Sequence, residues 1–184
     1  MTAGLNVIDD RVYTIEDYMK LDDDSHYELI GGKLLMVPSP TRKHQKISSR
    51  LNTQFENYLT QNPIGEVLWD FDVHFNDKVA RPDVLFVSKE RMAIIGELNV
   101  QGAPDLVVEV LSLSTAAHDR KTKSQLYYEN GVKEYWIVDP DGAVVEVFVP
   151  GEKNWTLMGA FDHEDVLTTT LLPGLKIKLQ DVFA

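Results

Sequence analysis

Two carboxylates stand inside or at the edge of apolar runs in this chain, and a lysine follows them. Asp83 opens the run Val84-Leu85-Phe86-Val87 after Arg81-Pro82, and Glu109 interrupts Leu106-Val107-Val108-Glu109-Val110-Leu111. A carboxylate removed from water is costly unless a cation, a metal or hydrogen bonds meet it. Two of them on separate buried segments supply two oxygen ligands. Mg²⁺ takes one or two protein carboxylates and completes its shell with waters and a substrate phosphate. Such an ion activates water and stabilises the leaving oxygen of a phosphodiester. A lysine beside the pair would orient the attacking water or offset charge on the phosphorus. Two positions beyond Glu109 stands Leu111, so the strand itself does not supply that lysine. The candidate is Lys123 on the following helix, one turn from Tyr127 on the same face.

Each residue also has a plainer reading. Glu109 can be one half of a buried structural salt bridge. Asp83 can be a strand-entry aspartate, and Lys123 a solvated helix lysine. Glu28, which interrupts Tyr27-Leu29-Ile30, and His44, near the start of a long helix, are each a candidate third ligand or acid/base group. Their alternatives are an exposed strand glutamate and a satisfied structural histidine.

The elements that must position these residues follow from periodicity. Side chains alternate along a strand, so Asp105, Val107, Glu109 and Leu111 share one face, and Leu106, Val108 and Val110 form a wholly apolar other face. Thr14 to Leu21 reads as a short helix, with Thr14 as N-cap and Asp17 in the capping-box position. Tyr27–Ile30 and Lys33–Val37 read as a hairpin around Gly31-Gly32. Thr41 to Gln61 is the clearest helix, with Ile47, Leu51, Phe55, Tyr58 and Leu59 at spacings of three and four. Strands are expected over 66–71, 73–75, 82–87 and 106–111, and a helix over 119–130 ended by Gly131. A strand over 134–140 and a C-terminal meander over 143–149, 155–158 and 166–170 complete the order. The expected fold is α/β (α+β): a central mixed sheet flanked by helices, one domain over 1–184, with 1–12 a flexible or peripheral segment.

The chain has 184 residues, a formal charge of −11 and no cysteine. The missing cysteines exclude thiolate metal sites and disulfides, in keeping with a cytoplasmic protein. No apolar run reaches the length of a membrane span. The acidity argues against a broad basic surface for nucleic acid but leaves room for a local basic groove.

Pro104-Asp105-Leu106-Val107-Val108-Glu109-Val110-Leu111-Ser112, Ser114-Thr115, Asp119, Lys123, Tyr127 and Glu134-Tyr135-Trp136-Ile137-Val138-Asp139-Pro140 follow one another in a specific order. With Arg81-Pro82-Asp83-Val84, Tyr27 to Gly32 and His44, this order resembles the Uma-two family, of the PD-(D/E)XK nuclease superfamily, over about residues 14 to 180. The resemblance implies a restriction-endonuclease-like fold and a DNA endonuclease using Mg²⁺ or Mn²⁺, working as a homodimer. It makes Asp83 the motif aspartate, Glu109 the motif glutamate, Lys123 the migrated lysine and Glu28 an additional acid. His44, Asp119 and Tyr127 fall on the periphery, and the metal would lie between Asp83, Glu109 and the Val110 carbonyl. Leu113 departs from the family habit of proline after the serine. Two other readings stand beside the DNA endonuclease: a catalytically silent binding or scaffold module, and a hydrolase of another phosphodiester.

Overall fold

The computed structural model describes residues 5–23 and 25–184. Part of the expected peripheral segment, residues 1–4, lies outside the described residues, as does Asp24 of the acidic run after the first helix.

The chain begins with β1 (Asn6–Val7) and α1 (Ile15–Tyr18). The capping box of α1 forms as expected. The Thr14 hydroxyl accepts from the Asp17 N–H at 3.2 Å, and the Asp17 carboxylate accepts from the Thr14 N–H at 3.0 Å. β2 (His26–Ile30) and β3 (Lys33–Val37) make the hairpin, with Gly31 and Gly32 at φ of 59° and 71°. Two consecutive positive φ angles are what a type I′ turn requires, and glycine adopts them without a Cβ clash.

α2 (Arg42–Gln61) is capped by the Thr41 hydroxyl and buries Ile47, Leu51, Phe55 and Leu59 on one stripe. β4 (Gly65–Trp69), β5 (Val73–Phe75), β6 (Lys78–Ala80) and β7 (Val84–Ser88) follow. A 3₁₀ segment over Lys89–Ile94 leads to β8 (Val100–Gln101) and β9 (Leu106–Val110). The expected helix begins earlier than its pattern suggests and is not uniform. It runs as α3 (Ala116–His118), a π-helical stretch over Asp119–Lys123, and α4 (Ser124–Glu129).

β10 (Glu134–Asp139), β11 (Val144–Pro150) and β12 (Trp155–Asp162) form the meander. It stops there. β13 (Val166–Leu167) instead pairs with β14 (Ile177–Lys178) in a separate ribbon, and α5 (Leu179–Phe183) closes the described chain. β6, β8, β14 and α5 carry two to five residues each. Such lengths show no readable period.

Two six-stranded sheets result, in the orders β1-β3-β2-β6-β5-β8 and β12-β11-β10-β9-β7-β4. The hairpin is thus the centre of a sheet of its own, and the second is the expected central mixed sheet. Its one parallel pair, β9 with β10, is bridged by α3, the π stretch and α4, as a parallel crossover must be. Alternation on β9 sorts the core as expected. Leu106, Val108 and Val110 join the apolar cluster with α2 and α5, while Val107 packs with Tyr127 and Tyr135 on the other face. The chain crosses between the two sheets several times, and one of these crossings is Arg81-Pro82-Asp83, between β6 and β7. Among the described residues no helix is long and apolar enough to cross a membrane.

Candidate functional site

At this joint between the sheets four carboxylates gather around one lysine. Glu28 comes from β2, Asp83 from the β6–β7 connection, Glu109 from β9, and Asp119 and Lys123 from the π-helical crossover. Lys123 is 4 % exposed, Glu28 2 %, and Glu109 and Asp119 3 % each. Lys123 Nζ lies 2.6 Å from Glu109 Oε1, 2.9 Å from Glu28 Oε1 and 3.8 Å from Asp119 Oδ1. It also donates to the Arg81 carbonyl at 3.3 Å. A solvated helix lysine is therefore not what the structure holds. π turns of this kind recur at functional sites, and here one presents a buried acid and a buried base from a single turn.

The neighbours fasten each acid. The Tyr127 hydroxyl donates to Glu109 Oε1 at 2.5 Å, and the Arg81 N–H donates to Glu28 Oε1 at 3.2 Å. His118 Nε2 is 2.9 Å from Glu28 Oε2. The Val110 N–H donates to Asp83 Oδ2 at 2.7 Å, and His44 Nε2 stands 3.3 Å from Asp83 Oδ1. The side chain of Arg81 turns away to Asp70 and Asp72, at 2.6 and 3.2 Å. One residue thus contributes its backbone to the site and anchors the neighbouring loop with its guanidinium.

Electrostatics follow from burial and imbalance. Burial opposes the charged form of Lys123, but Glu109 and Glu28 hold the ammonium and its pKa stands well above the ordinary lysine value. For Glu28, Lys123 and His118 overcome burial and draw the carboxyl down to about 2. Glu109 goes the other way. Burial, then repulsion from Asp119, Asp83 and Glu28, push its pKa well up despite Lys123. Burial likewise raises Asp119. His44 is raised too: burial works against its charge, but Asp83 and the Val110 carbonyl favour it.

The structure brings together every residue that the sequence singled out. Glu28, Asp83, Glu109 and Lys123 meet, His44 touches Asp83, and Asp119 and Tyr127 are packed inside the cluster rather than around it. Sequence reasoning missed His118, the partner of Glu28. Its only signal was its place in the polar run beside Asp119. It also missed the main chain of Arg81, which no side-chain pattern discloses.

The donor set suits a hard cation. Asp83 Oδ1, Glu109 Oε2 and the Val110 carbonyl are oxygen donors; Lys123 and Tyr127 both engage Oε1 of Glu109 rather than Oε2, while His44 faces Asp83 Oδ1 and the Val110 carbonyl and would have to yield them to an ion. Four buried or half-buried acids face one lysine and two histidines, which leaves negative charge for a divalent ion to offset even with both imidazoles protonated. No group of three or more His, Asp or Glu side chains among the described residues is arranged to hold a metal by itself.

The family model Uma2, described as "Putative restriction endonuclease", matches residues 15–180. "Uncharacterized protein slr1290" of Synechocystis sp. (strain ATCC 27184 / PCC 6803 / Kazusa) is 28 % identical over 138 residues, covering 72 % of each chain. The crystal structure of "a putative nuclease belonging to DUF820 from Anabaena variabilis ATCC 29413" superimposes with a TM-score of 0.78. It covers 93 % of this chain and 97 % of that one, at 21 % identity, and so shares the fold.

Proposed function

The chain belongs to the Uma2 family, and from that premise we propose that it is a Mg²⁺-dependent endonuclease hydrolysing DNA phosphodiester bonds. The observation that carries the reading is Lys123, buried at 2.6 Å from Glu109 in a pocket of acids that outnumber it. A structural ion pair balances its charges; here Glu28, Asp83, Glu109 and Asp119 still outnumber Lys123, His44 and His118 taken together.

In the proposed roles, Asp83, Glu109 and the Val110 carbonyl hold the metal. The ion would activate the attacking water and offset charge on the leaving oxygen. Lys123 keeps a fixed positive charge where the phosphoryl oxygens gather negative charge, without reorganisation at the moment of reaction. Glu28, drawn down to about 2, is a poor proton acceptor, so it serves as a positioning residue for Lys123. Tyr127 holds Glu109, and the Val110 N–H holds Asp83, each in one orientation. A homodimer would bring a second site to the second strand of a duplex. A protein with this substrate and no cysteine fits the cytoplasm.

The test is cleavage of plasmid and duplex oligonucleotides with Mg²⁺ or Mn²⁺ by the wild type, Asp83→Asn and Glu109→Gln. Each substitution is expected to lower the rate by at least about 100-fold while the far-ultraviolet spectrum stays unchanged. Mn²⁺ should also raise the melting temperature of the wild type and not of the variants, because binding to the folded state alone stabilises it. Cleavage that neither substitution alters rejects the site. The net charge of −11 favours one rival, a silent binding module. No metal-dependent cleavage together with no Mn²⁺ stabilisation would establish it. Cleavage of RNA or nucleotides but not DNA would establish the third reading.

A further inference from the structure

The N-terminal half of α2 is charged unlike the rest of the chain. The protein has 29 acids against 18 lysines and arginines, yet between Glu28 and Glu56 there is no acid at all. Arg42, Lys43, Lys46 and Arg50 fall within that stretch. They line a groove of about 310 Å³ together with Ile47, Phe183 and Ala184, and among the described residues no acidic side chain lines it. Arg42, Lys46 and Arg50 recur every fourth residue, so they form one stripe about 12 Å long.

Two facts mark the stripe as more than a solvated helix face. The first turn of α2 holds Arg42, Lys43 and His44 and no acid. The positive end of a helix dipole disfavours cations, so this arrangement works against the helix. The first turn of α1, by contrast, carries Glu16 and Asp17. Second, the stripe is only partly neutralised from within. Lys43 pairs with Asp141 at 2.8 Å, and Arg50 donates to the carbonyls of Val182 and Ala184. Arg42 and Lys46 are exposed and make no ion pair with any described residue. A local rule broken without local compensation points to a functional use.

Its position gives the use. His44 lies in the same first turn and reaches Asp83 at 3.3 Å from the core-facing side of the helix. The stripe begins in the same helical turn as His44 but on the outer, solvent-facing side of α2, so a strand lying along it would pass over the helix end whose other side carries His44 to Asp83. An acidic protein repels a polyanion at long range, but at physiological salt that repulsion is screened beyond about 8 Å. Contact cations then decide whether a strand stays. We infer that the outer Arg42–Lys46–Arg50 stripe of α2 is the track on which the DNA sugar-phosphate backbone docks while a strand reaches over the helix end to the site. This rests on the DNA endonuclease reading above, and it adds the surface that holds the substrate.

The experiment is fluorescence anisotropy of a labelled DNA duplex with the full chain, over a salt series in Ca²⁺ so that binding is read apart from cleavage. It compares the wild type, the double variant Arg42→Glu/Lys46→Glu and a charge-matched control, Lys153→Glu/Lys176→Glu. Lys153 and Lys176 are exposed and lie on the β11–β12 turn and just before β14. The α2 variant should bind at least about tenfold more weakly, with a slope of log affinity against log salt shallower by about two. The control should match the wild type. The α2 variant should melt no lower than the wild type, since acids suit a helix N-terminus. Equal loss in both variants, or none in either, overturns the track, as does a wild type that does not bind DNA. Binding through the track without metal-dependent cleavage would defeat the endonuclease reading alone. Cleavage whose KM and salt dependence ignore Arg42→Glu/Lys46→Glu would defeat the track alone.

Discussion

Asp105 and Glu109 lie four residues apart, one just before β9 and the other within it, and both are almost wholly buried. Their surroundings differ in sign. Asp105 accepts from the Ser88 N–H at 2.8 Å and faces Arg91 at 3.1 Å and Lys133 at 2.6 Å. Burial tends to raise its pKa, but Lys133, Ser88 and Arg91 hold it below the ordinary aspartate value. Glu109 shares one lysine with Glu28 and Asp119 and is pushed up. Two cations for one acid make an anchor. One cation for several acids makes a site that still attracts positive charge. The same segment therefore carries a structural acid and, four residues on, an acid poised for chemistry, and burial alone does not tell them apart.

Removing Lys123 tests this contrast most severely. Lys123→Met leaves Glu28, Glu109 and Asp119 buried without their cation and should cost roughly 3–5 kcal/mol, read by urea unfolding, along with cleavage. A loss below about 1 kcal/mol would mean that the acids are already neutral. Asp105→Asn should cost less, about 2 kcal/mol. Arg91 and Lys133 are partly exposed and water can take them over, while the Ser88 N–H keeps a carbonyl-type acceptor. Metal-dependent cleavage should be unchanged where the variant is folded. Lost cleavage in folded Asp105→Asn would erase the distinction between the two acids.

Glu109→Gln should change stability by less than about 1 kcal/mol, because relief from the neighbouring carboxylates offsets the lost ion pair. It should nonetheless remove cleavage. A destabilisation as large as that of Lys123→Met would recast Glu109 as a structural partner.

The smallest effect is on the acid side of the stability curve. The folded-state pKa of Asp105 is depressed from 3.8, so its contribution is present above the unfolded value and lost as pH falls through the folded one. Below about pH 4 the wild type should therefore lose stability more steeply than Asp105→Asn, measured as melting temperature against pH. Equal slopes would show that Arg91 and Lys133 do not hold the carboxylate.

The sequence by itself determined whatever has a period or a local signal. Alternation separated Glu109 from Val108 and Val110, the three-four spacing marked α2, Gly31-Gly32 set the hairpin, and Thr14 with Asp17 set the capping box. The absence of a lysine at Leu111 directed attention to Lys123. These features depend on a residue and its near neighbours, which the order of amino acids states directly. Strands of two or three residues, the π turn over Asp119–Lys123 and the departure of β13 from the meander have no such period. Only the tertiary structure decided which faces would meet. It set Glu28 against Lys123 and His118 across about 90 residues of chain, and it laid His44 of α2 beside Asp83. Periodicity tells a side chain which face of its own element it takes. What that face touches is decided when two sheets bury their apolar surfaces together and leave the charged side chains to find one another where the chain crosses between them at Arg81-Pro82-Asp83.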